Sequence, residues 1–168
     1  MTTLRVRPVG QELLEAVAQL EAMVSVTPWS LELFRDEWRL GSWMRAVLDA
    51  HGQLAGYVVA RRQFDEWHLL KLGVAPAFRR QGLGRRLVAG VLRKARRERA
   101  LCVLLEVRAS NHIARMLYEA MGFEILSVRR AYYRGRQGLE DALVMTCRLA
   151  ESLHLDKPGE LREAVRLR

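Results

Sequence analysis

Hydrophobic positions along the chain follow two different periods, and each period predicts a kind of element. Apolar side chains recur every three to four residues in four segments, which predicts four helices. These begin near residues 11, 31, 83 and 112. Short apolar runs or alternating patterns predict strands at 4–7, 44–49, 54–62, 67–74, 101–107, 123–132 and 139–149. The order predicts an α/β (α+β) fold with a mixed, mostly antiparallel sheet of about six or seven strands covered by about four helices.

Several residues mark where the predicted helices begin and end. Ser30 is a suitable N-cap for the second helix, and Ser110 or Asn111 suits the fourth. Gly122 follows the last periodic position of the fourth helix, where a left-handed residue ends many helices. Residues 51–53, His-Gly-Gln, predict a hairpin turn between two strands.

The pattern changes after residue 150. Residues 1–150 carry all the predicted elements and are long enough for one domain with its own core. Residues 151–168 are charged, contain Pro158 and Gly159, and have a short helical stripe. We treat them as a tail whose role the sequence leaves open.

Charge and composition restrict the class of protein. The net charge is +9, and 25 of the 28 basic residues are arginine. The basic residues are scattered, without a zinc-finger, helix-turn-helix or RNA-recognition pattern, so direct nucleic-acid binding is not expected. No apolar run approaches the roughly 20 residues of a membrane span, and no secretory signal opens the sequence. These features favour a cytoplasmic protein without a membrane partner.

The two cysteines give no sign of a metal site. Cys102 and Cys147 lie in apolar, strand-like runs, and their spacing matches no zinc pattern. We expect two core thiols and no bound metal.

The segment from Arg79 to Arg85 predicts an anion site. It lies between a predicted strand and the first turn of a helix, where backbone N–H groups and the helix dipole attract phosphate. Gly82 and Gly84 lack the Cβ atoms that would keep an anion from the backbone, and the arginines add positive charge. The segment could hold a diphosphate, although an ordinary basic turn would have a similar sequence.

Two common phosphate motifs do not fit this segment. The Walker pattern is absent, and Leu87 stands where a dinucleotide fold needs its third glycine. The segment instead resembles the R/Q-x-x-G-x-G/A loop of GNAT acetyltransferases, at Arg79, Gly82 and Gly84. This resemblance implies that acetyl-coenzyme A is the cosubstrate.

Further motifs resemble one branch of that family, the RimI-type protein N-terminal alanine acetyltransferases. They are LEVRASN at 105–111, LYEAMGF at 117–123, PWS at 28–30, RRAYY at 129–133 and EDA at 140–142. The resemblance covers about residues 3–150. It implies a GNAT fold whose splayed central parallel strands form the coenzyme cleft. The implied acceptor is a protein N-terminus, such as that of a ribosomal protein, with nucleic acid involved only indirectly through the ribosome.

Two residues match the family's proton-transfer groups. Glu106 interrupts an apolar strand, which costs desolvation energy unless function or hydrogen bonding offsets it. Its counterpart is proposed to take the amine's proton through a water molecule, although a structural carboxylate would have the same position. Tyr118 matches the tyrosine that protonates the departing thiolate, although it could also be a core tyrosine.

The resemblance also implies binding residues. Coenzyme contacts are expected at Leu72, Gly73, Val74, Arg79, Arg80, Gln81, Gly82, Leu83, Gly84, Arg85 and Asn111. Acceptor contacts are expected at Trp29, Tyr132, Tyr133 and Glu140. Asn111 could act only as a helix cap, and the four acceptor residues could belong to the core or to a hairpin. His68 could assist as a base, although a structural histidine fits its position better.

Two other functions remain open from the sequence. A GNAT enzyme acting on a small amine would have an overlapping site. A basic RNA- or ribosome-associated module without catalysis is a third candidate, but the presence of both Glu106 and Tyr118 argues against it. The sequence does not give the oligomeric state.

Overall fold

The predicted strands form one seven-stranded sheet in a computed structural model that describes residues 4–135 and 138–149. The strands are β1 (Arg5–Pro8), β2 (Trp43–Leu48), β3 (Leu54–Gln63), β4 (Glu66–Val74), β5 (Cys102–Arg108), β6 (Glu124–Gly135) and β7 (Gly138–Arg148). The helices are α1 (Leu14–Val24), α2 (Leu31–Arg39), α3 (Leu83–Arg97) and α4 (His112–Ala120). Short 3-10 turns precede α1 at Gln11–Leu13 and α3 at Pro76–Phe78.

The strand order is β1-β2-β3-β4-β5-β7-β6, and all neighbours are antiparallel except β4 and β5. The parallel pair is joined by α3, because parallel strands need a long crossover. The mixed, mostly antiparallel sheet predicted from the sequence is therefore confirmed.

Each face of the sheet carries its own core. One core packs α3 and the end of α4 on the sheet, with Val58, Leu69 and Val103 among its buried residues. The other packs α1 and α2 on the opposite face, around Tyr57 and Phe34. Successive side chains of β5 therefore point to opposite faces of the sheet, one covered by α3 and α4 and the other by α1 and α2.

The central parallel strands separate partway along their length. Their register runs from Glu66 opposite Cys102 to Leu69 opposite Leu105, and the pairing ends there. Both strands continue, β4 to Val74 and β5 to Arg108. Beyond the last pair the two strands diverge and form a fork in the middle of the sheet.

A bulge in β4 lies at the base of this fork. Val59 of β3 pairs with Lys71, whereas the next residue, Ala60, pairs with Leu69. Leu70 is therefore the extra residue of β4. Because a bulge bends the strand and increases its twist, it directs the end of β4 away from β5.

Most predicted boundaries and faces agree with the structure. The buried residues of α3 are the predicted Leu83, Leu87, Val88, Val91, Leu92 and Ala95. Ser30 Oγ accepts a hydrogen bond from the Leu33 N–H, and Gly122 has a φ of 89°. Cys102 and Cys147 are free thiols in the sheet. The tail 151–168 lies outside the described residues.

Candidate active site

Glu106 lies at the fork. It is the first β5 residue beyond the last pair with β4, although it still pairs with Val144 of β7. Its neighbours in β5, Leu105 and Val107, belong to the core beneath α3. Because strand side chains alternate, Glu106 points to the opposite face, which carries α1 and α2.

Glu106 has an ionic partner that the sequence did not predict. Its Oε1 lies 2.9 Å from Nη1 of Arg129, and its side chain is 30% exposed. The Arg129 guanidinium also lies 5.3 Å from the ring centre of Tyr132. The partner reaches Glu106 from β6 across the intervening strand β7, so the carboxylate is held at the fork by a side chain two strands away.

Tyr118 lies on α4 and is only 6% exposed. Its ring packs against Phe123, with ring centres 5.7 Å apart. Burial raises the pKa of the Tyr118 hydroxyl, and the neighbouring Tyr133 raises it further. The pKa of Tyr133 is also raised, first by burial and then by the negative charge of Glu106. Tyr133 is thus an electrostatic neighbour of both Glu106 and Tyr118.

The predicted phosphate loop leads into α3 as expected. Gly82 is the N-cap residue with a φ of 75°, and no side chain caps the helix. A Cβ atom added at Gly82 would meet no atom within 4 Å. The first N–H groups of α3 therefore lie beside open space, which is the arrangement that an anion needs.

Gly84 has a packing role that the sequence did not predict. A Cβ atom there would lie 3.2 Å from Cδ2 of Leu117, so the missing side chain allows α3 and α4 to approach. Gly84 therefore serves helix packing, and the prediction that both glycines leave space for phosphate stays a prediction.

The polar side chains of the loop contact nearby carbonyls. Arg79 Nε donates to the Val74 oxygen over 3.3 Å, and Gln81 donates to Ala77 over 3.2 Å. Arg85 Nη2 lies 3.4 Å from the Ala120 oxygen at the end of α4. Arg80 is exposed and has a φ of 60°. These contacts place positive charge around the beginning of α3.

Asn111 is the N-cap of α4, as one of the two predicted candidates. Its Oδ1 accepts a hydrogen bond from the Ala114 N–H over 3.2 Å. This hydrogen bond establishes the cap role of Asn111, and the side chain is otherwise exposed.

The ring of Tyr57 leaves no room for a side chain at position 73, so glycine is required there. A Cβ atom at Gly73 would lie 2.4 Å from Cε1 of Tyr57, which fills the space over the β4 backbone. Tyr57 is fully buried, and its hydroxyl donates a hydrogen bond to Glu21 of α1. Burial and the Glu21 carboxylate raise the pKa of Tyr57, so it stays a neutral donor.

Glu21 and Lys71 form a buried ion pair that the sequence analysis missed. Lys71 Nζ lies 2.6 Å from Oε1 of Glu21, whose side chain is 2% exposed. The same carboxylate oxygen accepts the Trp29 N–H over 3.2 Å. A signal was present, because Glu21 follows Val17 by four residues on the apolar side of α1 and Lys71 interrupts an apolar run.

The α1–α2 loop bridges the two arms of the fork. The Thr27 carbonyl accepts a hydrogen bond from Lys71 of β4 over 3.1 Å, and its hydroxyl accepts one from Arg108 of β5 over 3.4 Å. Lys71 also lies over the Trp29 ring, 5.4 Å from its centre. The loop that carries Trp29 is therefore fixed to both strands on the face where Glu106 points.

The predicted acceptor residues surround this face. Tyr132 and Tyr133 are in edge contact, with ring centres 5.0 Å apart, and the Arg108 guanidinium lies 4.3 Å over Tyr133. Glu140 binds Arg108 Nη1 over 3.0 Å and accepts the Ser110 N–H over 2.7 Å. Hydrogen bonds from Ser110, followed by the charge of Arg108, lower the pKa of Glu140. Glu140 thus holds the β5–α4 loop in place.

His68 takes no visible part in the fork. It pairs with Leu104 in the closed part of the β4–β5 ladder, and its Nε2 lies 3.4 Å from a Glu66 oxygen. Across residues 4–135 and 138–149, no group of three or more His, Cys, Asp or Glu side chains is arranged for a metal ion. Within the same ranges, no helix has the length and apolar character needed to cross a bilayer.

Comparison with known proteins agrees with this geometry. Residues 11–123 match the family model described as acetyltransferase (GNAT) family. The chain is 33% identical over 132 residues to the [ribosomal protein bS18]-alanine N-acetyltransferase of Escherichia coli K12, covering 79% of this chain and 88% of the relative.

Solved structures share the fold. The crystal structure of the ribosomal-protein-S18-alanine N-acetyltransferase from Escherichia coli superposes with a TM-score of 0.83 and 28% identity, over 91% of this chain and 98% of that one. Arabidopsis thaliana NAA60 in complex with acetyl-CoA has the same fold, with a TM-score of 0.78 and 21% identity, over 88% and 99% of the two chains. The match over 113 of the 168 residues, the fork in the sheet and the glycine at the beginning of α3 lead to one conclusion: the chain belongs to the GNAT family and is an N-acetyltransferase.

Proposed function

We propose that this enzyme transfers an acetyl group to the N-terminal α-amine of a protein, with alanine as the first residue and a ribosomal protein as the natural acceptor. The observation that carries the proposal is the position of Glu106, one residue past the last β4–β5 pair. It points to the face whose core includes Trp29, and Arg129 links it to Tyr132. The Escherichia coli relative is named for the same reaction on ribosomal protein bS18. An acceptor on the ribosome implies a cytoplasmic location.

The residues at the fork and at α3 fit acetyl-coenzyme A. The open space over Gly82, beside the free N–H groups of α3, suits a pyrophosphate. The arm of β4 from Leu72 to Val74 has no β5 partner, so its backbone is available to an extended pantetheine arm. Bound there, the coenzyme supplies a thioester whose carbonyl carbon accepts the amine and whose sulfur leaves as a thiolate.

Glu106 is the group proposed to remove a proton from the acceptor amine, directly or through one water molecule. Its ion pair with Arg129 fixes the direction of the carboxylate at the fork. An N-terminal α-amine has an unperturbed pKa of about 8, against about 10.4 for a lysine side chain, so the base removes a less tightly held proton. This difference favours an N-terminus over a lysine as the acceptor.

Tyr118 is the group proposed to protonate the leaving thiolate. The raised pKa of its hydroxyl means that it keeps its proton across the working pH range and can deliver it when the C–S bond breaks. Packing of its ring against Phe123 holds the hydroxyl in one direction. The protonated amine loses two protons: Glu106 takes the first before attack and later passes it to solvent, and the second leaves the nitrogen after the C–N bond forms and replaces the proton that Tyr118 gives to the thiolate.

Mass spectrometry of peptide acetylation tests the acceptor class. Three acceptors are offered with acetyl-coenzyme A: a peptide with a free N-terminal alanine, the same peptide with a blocked N-terminus and one internal lysine, and a small polyamine. We expect the acetyl group on the α-amine of the first peptide. Preferential acetylation of the polyamine or of the lysine would contradict the proposal.

A second experiment tests the base. Glu106→Gln keeps the shape of the side chain, so we expect coenzyme binding to remain while kcat/KM falls by roughly a hundredfold or more at neutral pH. The defect should shrink toward pH 9, because solvent then supplies the neutral amine. Glu119→Gln is the matched control, since Glu119 is exposed and paired with Arg115 on α4. A defect independent of pH would assign Glu106 to acceptor positioning.

A further inference from the structure

The flank of α3 that faces away from α4 borders a basic groove. Gly84 and Arg85 contact α4, whereas a Cβ atom at Gly90 would meet the Trp43 ring of β2 at 3.3 Å. The groove between α3 and β2 has a volume of about 470 Å³. The polar side chains and the indole that line it are Trp43, Arg45, Arg86, Arg93, Lys94 and Arg97.

A second groove continues from the first. It has a volume of about 500 Å³ and shares Trp43, Arg45 and Lys94 with its neighbour. It adds Arg61 and Arg62 from β3. Sequence inspection found the basic residues scattered, but the fold brings seven cationic side chains from α3, β2 and β3 to one continuous channel, which we call the basic groove.

The cations of α3 form a row along the helix. Arg86, Arg93 and Arg97 are spaced by seven and four residues, so they lie on one face. At a rise of 1.5 Å per residue they span about 16 Å. A single phosphate or carboxylate would engage only one or two of them, whereas an extended polyanion could engage the whole row.

Carboxylates in the described part of the chain neutralise only part of this charge. Glu98 pairs with Lys94 and lies 3.7 Å from Arg62, and Glu37 lies 2.9 Å from Arg61. Among the described residues, no ion pair involves Arg86, Arg93 or Arg97. Within residues 4–135 and 138–149, nothing neutralises the charge of the α3 row.

Aromatic rings support the centre of the groove. The Arg45 guanidinium lies 4.5 Å over the Trp43 ring and donates to the Met44 oxygen over 2.8 Å. Trp67, which lines the second section, packs edge-on against Trp43 with ring centres 6.4 Å apart. Its buried Nε1–H has no acceptor within the described residues. A buried donor without an acceptor carries an energetic cost in this fold.

We propose that the basic groove binds the phosphodiester backbone of RNA. An extended row of unneutralised arginines beside indole rings suits a chain of phosphates, because each contact releases counterions and adds affinity. RNA is favoured over other polyanions because the acceptor is a ribosomal protein, and this choice of polyanion rests on the proposed function. The groove holds the enzyme on a ribonucleoprotein surface while the fork acetylates an N-terminus.

Fluorescence anisotropy of a labelled oligouridine at several salt concentrations tests the groove. The test variant is Arg86→Gln/Arg93→Gln/Arg97→Gln. The control is Arg35→Gln/Arg39→Gln/Arg115→Gln, which removes the same charge from arginines paired with Glu32, Asp36 and Glu119 on other helices. The logarithm of the binding constant falls with log salt by about 0.7 per contacted phosphate for single strands. We expect the test variant to lose about two units of this slope and at least about tenfold in affinity at low salt.

Several outcomes would overturn the proposal. Equal weakening in both triple variants would show that net charge, rather than the groove, holds RNA. Tighter binding to oligoglutamate or to vesicles containing phosphatidylserine than to oligouridine would identify a different partner. Because the proposed function is tested by acetylation of a free peptide, which the groove variant should perform like the wild type, failure of one proposal is distinguishable from failure of the other.

Discussion

Removal of the Lys71 ammonium should destabilise the protein and weaken acceptor binding together. Lys71→Met keeps a long apolar stem but leaves the Glu21 carboxylate, 2% exposed, without its cationic partner at 2.6 Å. The Tyr57 hydroxyl and the Trp29 N–H remain as donors to Glu21. The carboxylate is therefore still hydrogen-bonded but no longer neutralised.

The size of the effect follows from this burial. Removing one partner of a buried ion pair typically costs about 3–5 kcal/mol, because the other charge is left in a poorly solvated place. Since two donors remain and Lys71 is itself 18% exposed, we expect a value near the lower end, about 3 kcal/mol. For a chain of this length that corresponds to a fall in Tm of about 6–12 °C.

Urea unfolding of three variants measures the pair. Glu21→Gln should cost less than Lys71→Met, because Lys71 can turn toward solvent once its partner is neutral. The double variant should be more stable than the sum of the single effects predicts, with a coupling energy above about 1 kcal/mol. Lys94→Met is the matched control: Lys94 pairs with Glu98 at the surface, and an exposed pair contributes about 0–1 kcal/mol.

Kinetics separate an anchoring role from a purely structural one. Lys71→Met deprives the Thr27 carbonyl of its donor, so the loop that carries Trp29 loses its contact with β4. A lost hydrogen bond to a charged group is worth about 1.5–3 kcal/mol, so acceptor KM should rise roughly tenfold or more. The KM for acetyl-coenzyme A should change much less, since its proposed pyrophosphate cradle lies at α3 and its proposed pantetheine contacts are made by the backbone of residues 72–74. A Lys71→Met variant within 1 kcal/mol of wild-type stability, judged against the usual cost of breaking a buried pair, would refute the reasoning.

Three further predictions concern the coenzyme cradle, the acid and alkaline stability. Gly82→Ala should weaken acetyl-coenzyme A binding measured by calorimetry, whereas Gly52→Ala, with a similar φ of 80° and equally open surroundings, should carry the same backbone strain and leave binding intact. Tyr118→Phe should keep the fold and lower kcat by roughly a hundred- to ten-thousand-fold, and a loss within about threefold would reassign Tyr118 to the core. Stability should fall above pH about 10 and fall less in Tyr118→Phe. In the unfolded chain, tyrosine hydroxyls lose their protons near this pH. In the folded protein, the raised pKa values of Tyr57 and Tyr118 keep these two hydroxyls protonated. Unfolding therefore releases protons, and it becomes more favourable as the pH rises.

The elements were predictable because each has a local signal. The period of apolar residues predicts all six buried positions of α3, since one face of this helix packs on a flat sheet. Caps at Ser30 and Asn111 are equally local, because each side chain bonds a backbone N–H three residues ahead. Where a helix lies near an edge the period misleads: Met23 of α1 and Ile113 at the beginning of α4 have apolar spacing but are exposed.

Contacts between distant strands and helices were not predictable from local patterns. Arg129 reaches Glu106 across β7, and this contact depends on the strand order rather than on any local pattern. Gly73 and Tyr57 face each other on adjacent strands, and only the register of β3 and β4 shows that an alanine would collide with the ring. The basic groove likewise depends on three elements that meet only in the folded chain.

The fork itself has an energetic cost that the fold must offset. Separated strands give up ladder hydrogen bonds, and an unsatisfied buried backbone group costs about 1–3 kcal/mol. Two features accompany the opening: the bulge at Leu70 bends β4 away, and Thr27 accepts hydrogen bonds from the side chains of Lys71 on one arm and Arg108 on the other. These contacts of Thr27 hold the two arms together only on the face that carries α1 and α2. The β4 edge beyond Leu69 has no β5 partner, so under the proposed function the coenzyme's amides pair there while the acceptor amine approaches Glu106 from the face that carries α1 and α2.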